Sequence, residues 1–262
     1  PPPPPPLFQA EDGIRDATGG LVGSEMCIRD RFNVLVSGLF KSGGISTEKV
    51  RQTVISSVVP PMVTFLDSFC RKYLGHAPHW VNAKSYTGMP IRMPNPNEVG
   101  ADRIVNAVGA YRKYRRSMII IDFGTATTFD AVSTRGEYLG GAISPGIMVA
   151  AEALFMKASK LPRVEIFEPP VNVIGKGTND ALKSGIIYGY AGLIEGLVQR
   201  MKAEMKADGG GSENDPMVIA TGGLARLMGD ATTSIDTVES DLTLEGLRII
   251  AGELLDGKSD QA

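Results

Sequence analysis

Met118-Ile-Ile-Ile-Asp122-Phe-Gly-Thr-Ala-Thr-Thr128 is the stretch on which the fold of this chain turns. The apolar, mostly β-branched run Met118–Ile121 predicts a buried strand, and the alternation from Phe129 to Ser133 predicts its hairpin partner. Between them lie the Asp122 carboxylate, Gly124, and the hydroxyls of Thr125, Thr127 and Thr128. Gly124 carries no Cβ, so the backbone can pass close to a bulky anion. Threonine hydroxyls and turn amides offer neutral donors to phosphate oxygens, and Asp122 can hold a cation that offsets their charge. The pattern G-x-x-x-x-G-K-[ST] is absent, so the grip is strand-turn-strand rather than strand-turn-helix. This points to a nucleotide-dependent phosphotransferase; the plain alternative is an ordinary hairpin with a threonine-rich turn.

Upstream, Gly100-Ala-Asp-Arg103 opens a helix predicted from Ala101 to Tyr114 by Ile104, Val105, Val108 and Tyr111. A carboxylate there is favoured by the helix dipole, so Asp102 reads either as a cap or as a general base beside the clamp Arg103. Phosphoryl transfer asks little of its base, so an ionised, well-placed Asp suffices. Downstream, strands are predicted at 128–133 and 137–143, then a turn at Ser144-Pro-Gly-Ile147 and a helix to Ser159. A long helix follows from Asn179 to Lys206, where Gly185, Gly189, Gly192 and Gly196 predict close packing against another backbone; each costs about 1 kcal/mol relative to Ala. Gly175-Lys-Gly-Thr178 is an incomplete phosphate loop with no strand leading into it. Met217–Thr221 predicts a further buried strand, Gly222-Gly223 a tight turn against which a flat nucleoside could lie, and Leu224–Met228 and Asp241–Leu255 the last helices. Nearer the start, residues 32–40 predict a helix, 54–59 a buried strand and 62–74 a second helix. Strands that meet in hairpins and then alternate with helices predict an α/β fold with a mixed sheet. A composition shift at Arg115–Ser117 suggests a boundary between regions 32–116 and 117–262.

Hydrophobic residues make up 43% of the 262 positions and the net charge is -2, usual for a globular chain with a real core. That charge gives no reason to expect nucleic acid or an anionic membrane as partner. No apolar run approaches the ~20 residues of a membrane span. Two cysteines imply no disulfide framework and fit a reducing cytoplasm. Residues 1–31, with six prolines and a repeated Ile-Arg-Asp, have no sustained period and read as a disordered or adapter-derived tail.

The blocks NEVGADRIVNAV, IIIDFGTATTFD, GEYLGGAISPGI, KLPRVE, SGIIYGYAGLIEGLV and VIATGGLA occur in this order and resemble type III pantothenate kinases from about residue 34 to residue 250. The resemblance implies an actin-like fold, of the ribonuclease H and sugar-kinase type, with two similar subdomains, the first incomplete. It implies a cytoplasmic homodimer that uses ATP to phosphorylate pantothenate to 4'-phosphopantothenate, opening coenzyme A synthesis, with Mg2+ and a monovalent cation, K+ or NH4+. By the same match Asp102 is the proton acceptor, and Gly100, Ala101, Arg103 and Thr178 line the pantothenate site. Asp122 holds the monovalent cation, while Gly124, Thr125, Gly222 and Gly223 face ATP. Two departures stand out. Met93 occupies the position where the family has a Tyr wall, and no D-x-G-N-T strand for ATP phosphates and magnesium is present, which predicts little or no kinase activity and an unpaired sheet edge. The rival readings are another small-molecule kinase of the superfold, such as an acetate or sugar kinase, and a non-catalytic regulatory relative.

Overall fold

The computed structural model describes residues 14–15, 21–22, 25–85, 88–158, 160–166, 168–207 and 215–259. The expectation of a disordered tail over 1–31 falls largely outside these residues. By contacts the chain divides into two compact units, Pro1–Trp80 and Val81–Ala262. The composition shift had suggested 116/117, but the helix before it packs with the second unit's sheet.

In the first unit, β1 (Ile14–Arg15) and β2 (Leu21–Val22) pair antiparallel, and α1 (Glu25–Ser42) begins earlier than the apolar face at Phe32 suggests. The strand expected over 54–59 shrinks to β3 (Val54–Ile55). Only these two residues find a partner, pairing in parallel with β4 (His79–Trp80), and Val58 and Val59 emerge into solvent. Between them α2 (Pro60–Phe69) starts on a proline suited to a first turn and continues as a π-turn, Cys70–Leu74. Gly75 then ends it in the left-handed conformation, φ 75°. Phe32 stands edge-on to Phe65 and Phe69, with centroids 5.3 and 4.9 Å away, which ties α1 to α2.

The second unit is built on one sheet. After α3 (Ala101–Tyr114) come β5 (Met118–Phe123), β6 (Ala126–Val132) and β7 (Tyr138–Pro145). Helices α4 (Ile147–Lys157) and α5 (Thr178–Ala207) carry the chain to β8 (Met217–Gly222), followed by α6 (Ala225–Ala231), β9 (Thr237–Val238) and α7 (Leu242–Ser259). The strand order is β7-β6-β5-β8-β9; the hairpin pairs are antiparallel, and β8 lies parallel to β5 and β9. That order, with its one antiparallel inner strand, is the ribonuclease H-like arrangement of actin-type subdomains.

Met118–Ile121 are wholly buried, which explains a continuous apolar run rather than an alternating one. Ile119 and Ile121 join Phe129, Val218 and Ala220 in a core closed by Ile187, Ile194 and Val198 of α5 and Met228 of α6. Strand alternation turns Met118 and Ile120 to the other face, and α3 packs on β5, β6 and α7. The α3–α7 crossing depends on two glycines. A Cβ on Gly109 would sit 3.0 Å from the Leu242 carbonyl, and one on Gly246 would collide with the Val105 carbonyl. The glycines of α5 meet no such neighbour: nothing lies within 4 Å of a Cβ built on Gly185, Gly189 or Gly192, and Gly196 meets only the Arg200 side chain. The expected backbone contact along α5 is therefore absent among the described residues.

Candidate active site

Four segments meet around the carboxyl end of β5. Asp122 is its penultimate residue, opposite Thr128 on β6 and Thr221 on β8, and Phe123 lies opposite Gly222. The turn to β6 is only Gly124-Thr125, both exposed, with the Gly124 amide donating to the Ala126 carbonyl at 3.1 Å. The expected threonine-lined bend is thus shorter than the sequence suggests. Thr127 and Thr128 belong to β6, where Thr127 is fully buried and Thr128 donates to Asp130 at 3.1 Å, so of the three only Thr125 faces outward. The start of α4 closes on this turn, the Gly146 amide donating to the Thr125 carbonyl at 3.0 Å.

After β8, Gly222 adopts φ 92°, and a Cβ there would stand 2.6 Å from Asp122 Oδ1. A left-handed backbone tight against a carboxylate leaves glycine as the residue that fits. Gly223 follows it, exposed and with open space around it. The Gly-Gly turn expected to face a nucleoside is therefore the immediate neighbour of Asp122.

α3 approaches the same place with its first two turns. Gly100 is its N-cap residue, and no side chain caps it; Asp102 instead accepts the Arg103 amide at 2.9 Å. One turn on, the Asn106 amide nitrogen donates to Asp122 Oδ2 at 2.9 Å. Asn106 is itself oriented from α7, because the Thr243 hydroxyl donates to Asn106 Oδ1 at 2.7 Å. Burial pushes the Asp122 carboxyl above its ordinary value, the Asn106 hydrogen bond opposes this, and the nearby negative charge of Asp102 adds to the rise. Asn106 takes Oδ2, which leaves Asp122 Oδ1 beside the Gly222 turn.

Arg103 points to the other side of the helix start. Its Nε donates to Asp130 Oδ1 at 2.7 Å, and the Tyr138 hydroxyl donates to the same oxygen at 2.6 Å. Asp130 is wholly buried, while Arg103 keeps 12% of its side chain open. Burial raises the Asp130 carboxyl and is opposed by Arg103 and the hydrogen bonds it receives; burial and the Asp130 charge together push the Tyr138 phenol up. The half-buried Met93 follows a short segment held to Tyr138: the Arg92 amide donates to the Tyr138 carbonyl and the Tyr138 amide to the Pro90 carbonyl, both at 2.8 Å. Thr178 stands exposed at the first residue of α5, apart from these hydrogen bonds. Beside it opens a 410 Å³ pocket lined by Glu168, Asn172, Lys176, Asp180 and Lys183, with no residue of the α3–hairpin group.

Asp130, Tyr138, Asn106 and Thr243 were missed in the sequence reading. Asp130 carried a signal, a carboxylate within the apolar alternation of a buried strand, which demands a partner. Asn106 also did, as a polar residue one turn from Asp102 on an otherwise apolar helix face. Thr243 carried none. Among the described residues no group of three or more His, Cys, Asp or Glu could enclose a metal ion. What Asp122 offers is one carboxylate oxygen beside backbone turns, a hard-oxygen setting that suits a weakly held monovalent ion better than a protein-caged divalent one. No helix among the described residues is long and apolar enough to cross a membrane.

The sequence profile of type III pantothenate kinases matches residues 10–200, starting inside the segment set aside as a tail. The type III pantothenate kinase of Desulfatibacillum aliphaticivorans is 60% identical over 221 residues, covering 84% of this chain and 83% of the relative. That of Desulforapulum autotrophicum is 58% identical over 225 residues, covering 86% and 83%. Among solved structures, a conserved putative Baf family transcriptional activator from Campylobacter jejuni superposes with a TM-score of 0.53 at 18% identity, over 80% of this chain and 87% of that one. A likeness at that identity bears on the fold alone. With the profile spanning most of its length and such relatives matching over most of theirs, the chain belongs to the type III pantothenate kinase family.

Proposed function

We propose that this protein transfers the terminal phosphoryl group of ATP to the primary hydroxyl of pantothenate, giving 4'-phosphopantothenate for coenzyme A synthesis. The observation that carries this reading is the convergence of Asp102, Asp122, the Gly124-Thr125 turn and the Gly222-Gly223 turn at the carboxyl end of β5. Parallel strands of open sheets present ligands at that end. Asp102 accepts the hydroxyl proton as the oxygen bonds to the γ-phosphorus and the bond to the bridging oxygen of ADP breaks. Gly100, Ala101, Arg103 and Met93 line the acceptor side, and Arg103 clamps the substrate's carboxylate, while Thr178 stands apart from this group. The Gly124-Thr125 turn supports the phosphates, while Gly222 and Gly223 lie under the nucleoside.

Asp122 would hold potassium or ammonium through Oδ1, which offsets phosphate charge and relieves the repulsion from Asp102. Mg2+ would arrive on the nucleotide, since no acidic cluster among the described residues encloses it. A second copy of the chain would cover the 560 Å³ apolar groove lined by Leu154, Leu182, Gly185, Gly189, Tyr190 and Leu193, and the enzyme would work in the cytoplasm. The test is calorimetric titration with pantothenate, acetate and glucose, each with a non-hydrolysable ATP analogue. Heat from pantothenate alone is expected; binding of acetate or glucose in its place would move the protein to another branch of the superfold.

A further inference from the structure

Asp130 has no part in the phosphoryl transfer just described, yet it occupies a fully buried position in the middle of the sheet. A buried carboxylate is tolerated when it is paired and hydrogen-bonded, and here three donors converge on it. Arg103 Nε and the Tyr138 hydroxyl reach Oδ1 at 2.7 and 2.6 Å, and Thr128 reaches Oδ2 at 3.1 Å. A buried ion pair does little for stability compared with apolar packing, and its best use is to fix orientation.

The geometry fits that use. Asp130 holds one edge of the Arg103 guanidinium, and Gly141 admits the other: a Cβ at Gly141 would sit 2.8 Å from Nη2 and collide with the Phe129 carbonyl. Nη2 is buried there without a hydrogen-bond partner, so the guanidinium is wedged rather than free to turn. Tyr138 meanwhile braces the segment before Met93 through its own backbone, and the neighbouring Glu137 accepts hydrogen bonds from Arg92. Tyr138 thus links Asp130, and through it Arg103, to the segment that precedes Met93.

We propose that Asp130, braced by Tyr138, is a positioning residue that aligns Arg103 with the acidic end of the substrate. The inference rests on the clamp role given to Arg103 above. It predicts that loss of either group weakens recognition of the substrate's negative charge while leaving recognition of the rest of the molecule intact.

The experiment is calorimetric binding, on the full chain, of pantothenate and of the neutral analogue whose carboxylate is replaced by a hydroxymethyl group. The wild type should prefer the acid by about tenfold, and Arg103→Lys should abolish most of that preference, because lysine cannot reproduce the guanidinium fork. Tyr138→Phe should cut the preference roughly threefold and Asp130→Asn roughly tenfold, with affinity for the neutral analogue within about twofold throughout. A purely structural role would weaken both ligands together and leave the ratio unmoved. Circular dichroism melts establish that each variant is folded, and Tyr138→Phe, which keeps volume and charge, carries the test if Asp130→Asn does not fold. An acid preference that survives Tyr138→Phe and Asp130→Asn but falls in Arg103→Lys overturns the positioning role and spares the clamp. A preference untouched by Arg103→Lys, or absent from the wild type, overturns both.

Discussion

Thr243→Val should destabilise the second unit although it changes neither size nor charge. The lost hydroxyl donates to Asn106 Oδ1 at 2.7 Å, and Asn106 is 1% exposed, so no solvent is at hand to replace it. Stranding a buried acceptor costs about 1–3 kcal/mol. The amide could escape by turning over, but that would bring its oxygen against Asp122 Oδ2, which its nitrogen now approaches at 2.9 Å. Neither choice avoids the penalty, so the expected loss is about 1–2 kcal/mol, or a melting temperature lower by about 2–8 °C. Urea unfolding followed by circular dichroism measures it, with Thr243→Ser as the control that keeps the hydroxyl. A Thr243→Val protein within about 0.3 kcal/mol of wild type, or a Thr243→Ser protein that falls as far as the valine variant, would show that Asn106 does not depend on α7.

Two glycine substitutions should move stability in opposite directions. Gly246→Ala drives a methyl into the Val105 carbonyl and should cost about 1–3 kcal/mol, whereas Gly192→Ala, exposed with nothing within 4 Å, should gain up to about 1 kcal/mol in helix propensity; thermal melts that rank them otherwise would refute the crossing geometry. Asp122 makes a pH-dependent prediction. Its folded carboxyl lies above the ordinary 3.8, so the folded state binds the extra proton and stability falls as pH rises from about 3.8 through the folded value. Asp122→Asn should therefore gain stability relative to wild type as pH goes from 3 to 7, and potassium should stabilise the wild type at neutral pH but not the variant. Urea midpoints at both pH values, with and without KCl, check this, and a pH-independent difference would count against a desolvated Asp122.

What could be read from the chain and what could not differ in range. The α3 helix, the β5–β6 hairpin and the Gly-Gly turn after β8 were legible because their signals are local: an apolar period, a dipole-matched carboxylate, a turn residue. The predicted strand at 54–59 failed because a strand exists only where a partner pairs with it, and only Val54 and Ile55 meet one. The threonines misled for a related reason. Composition placed Thr127 in the turn and Thr128 at its edge, but the antiparallel register with β5 draws both into the sheet and hands Thr128 to Asp130. Each candidate group of the site sits in a short motif, while the hydrogen bonds that hold these motifs come from elsewhere: Thr243 reaches Asn106 across 137 positions, and Asp130 reaches Arg103 across 27. No window of sequence contains both members of such a pair. A motif search therefore finds the candidate residues, and the non-local hydrogen bonds decide which of their atoms stay free. Asp122 shows the consequence directly: Asn106 occupies one of its carboxylate oxygens, and the other lies beside the Gly222 turn, where a Cβ would stand 2.6 Å from it.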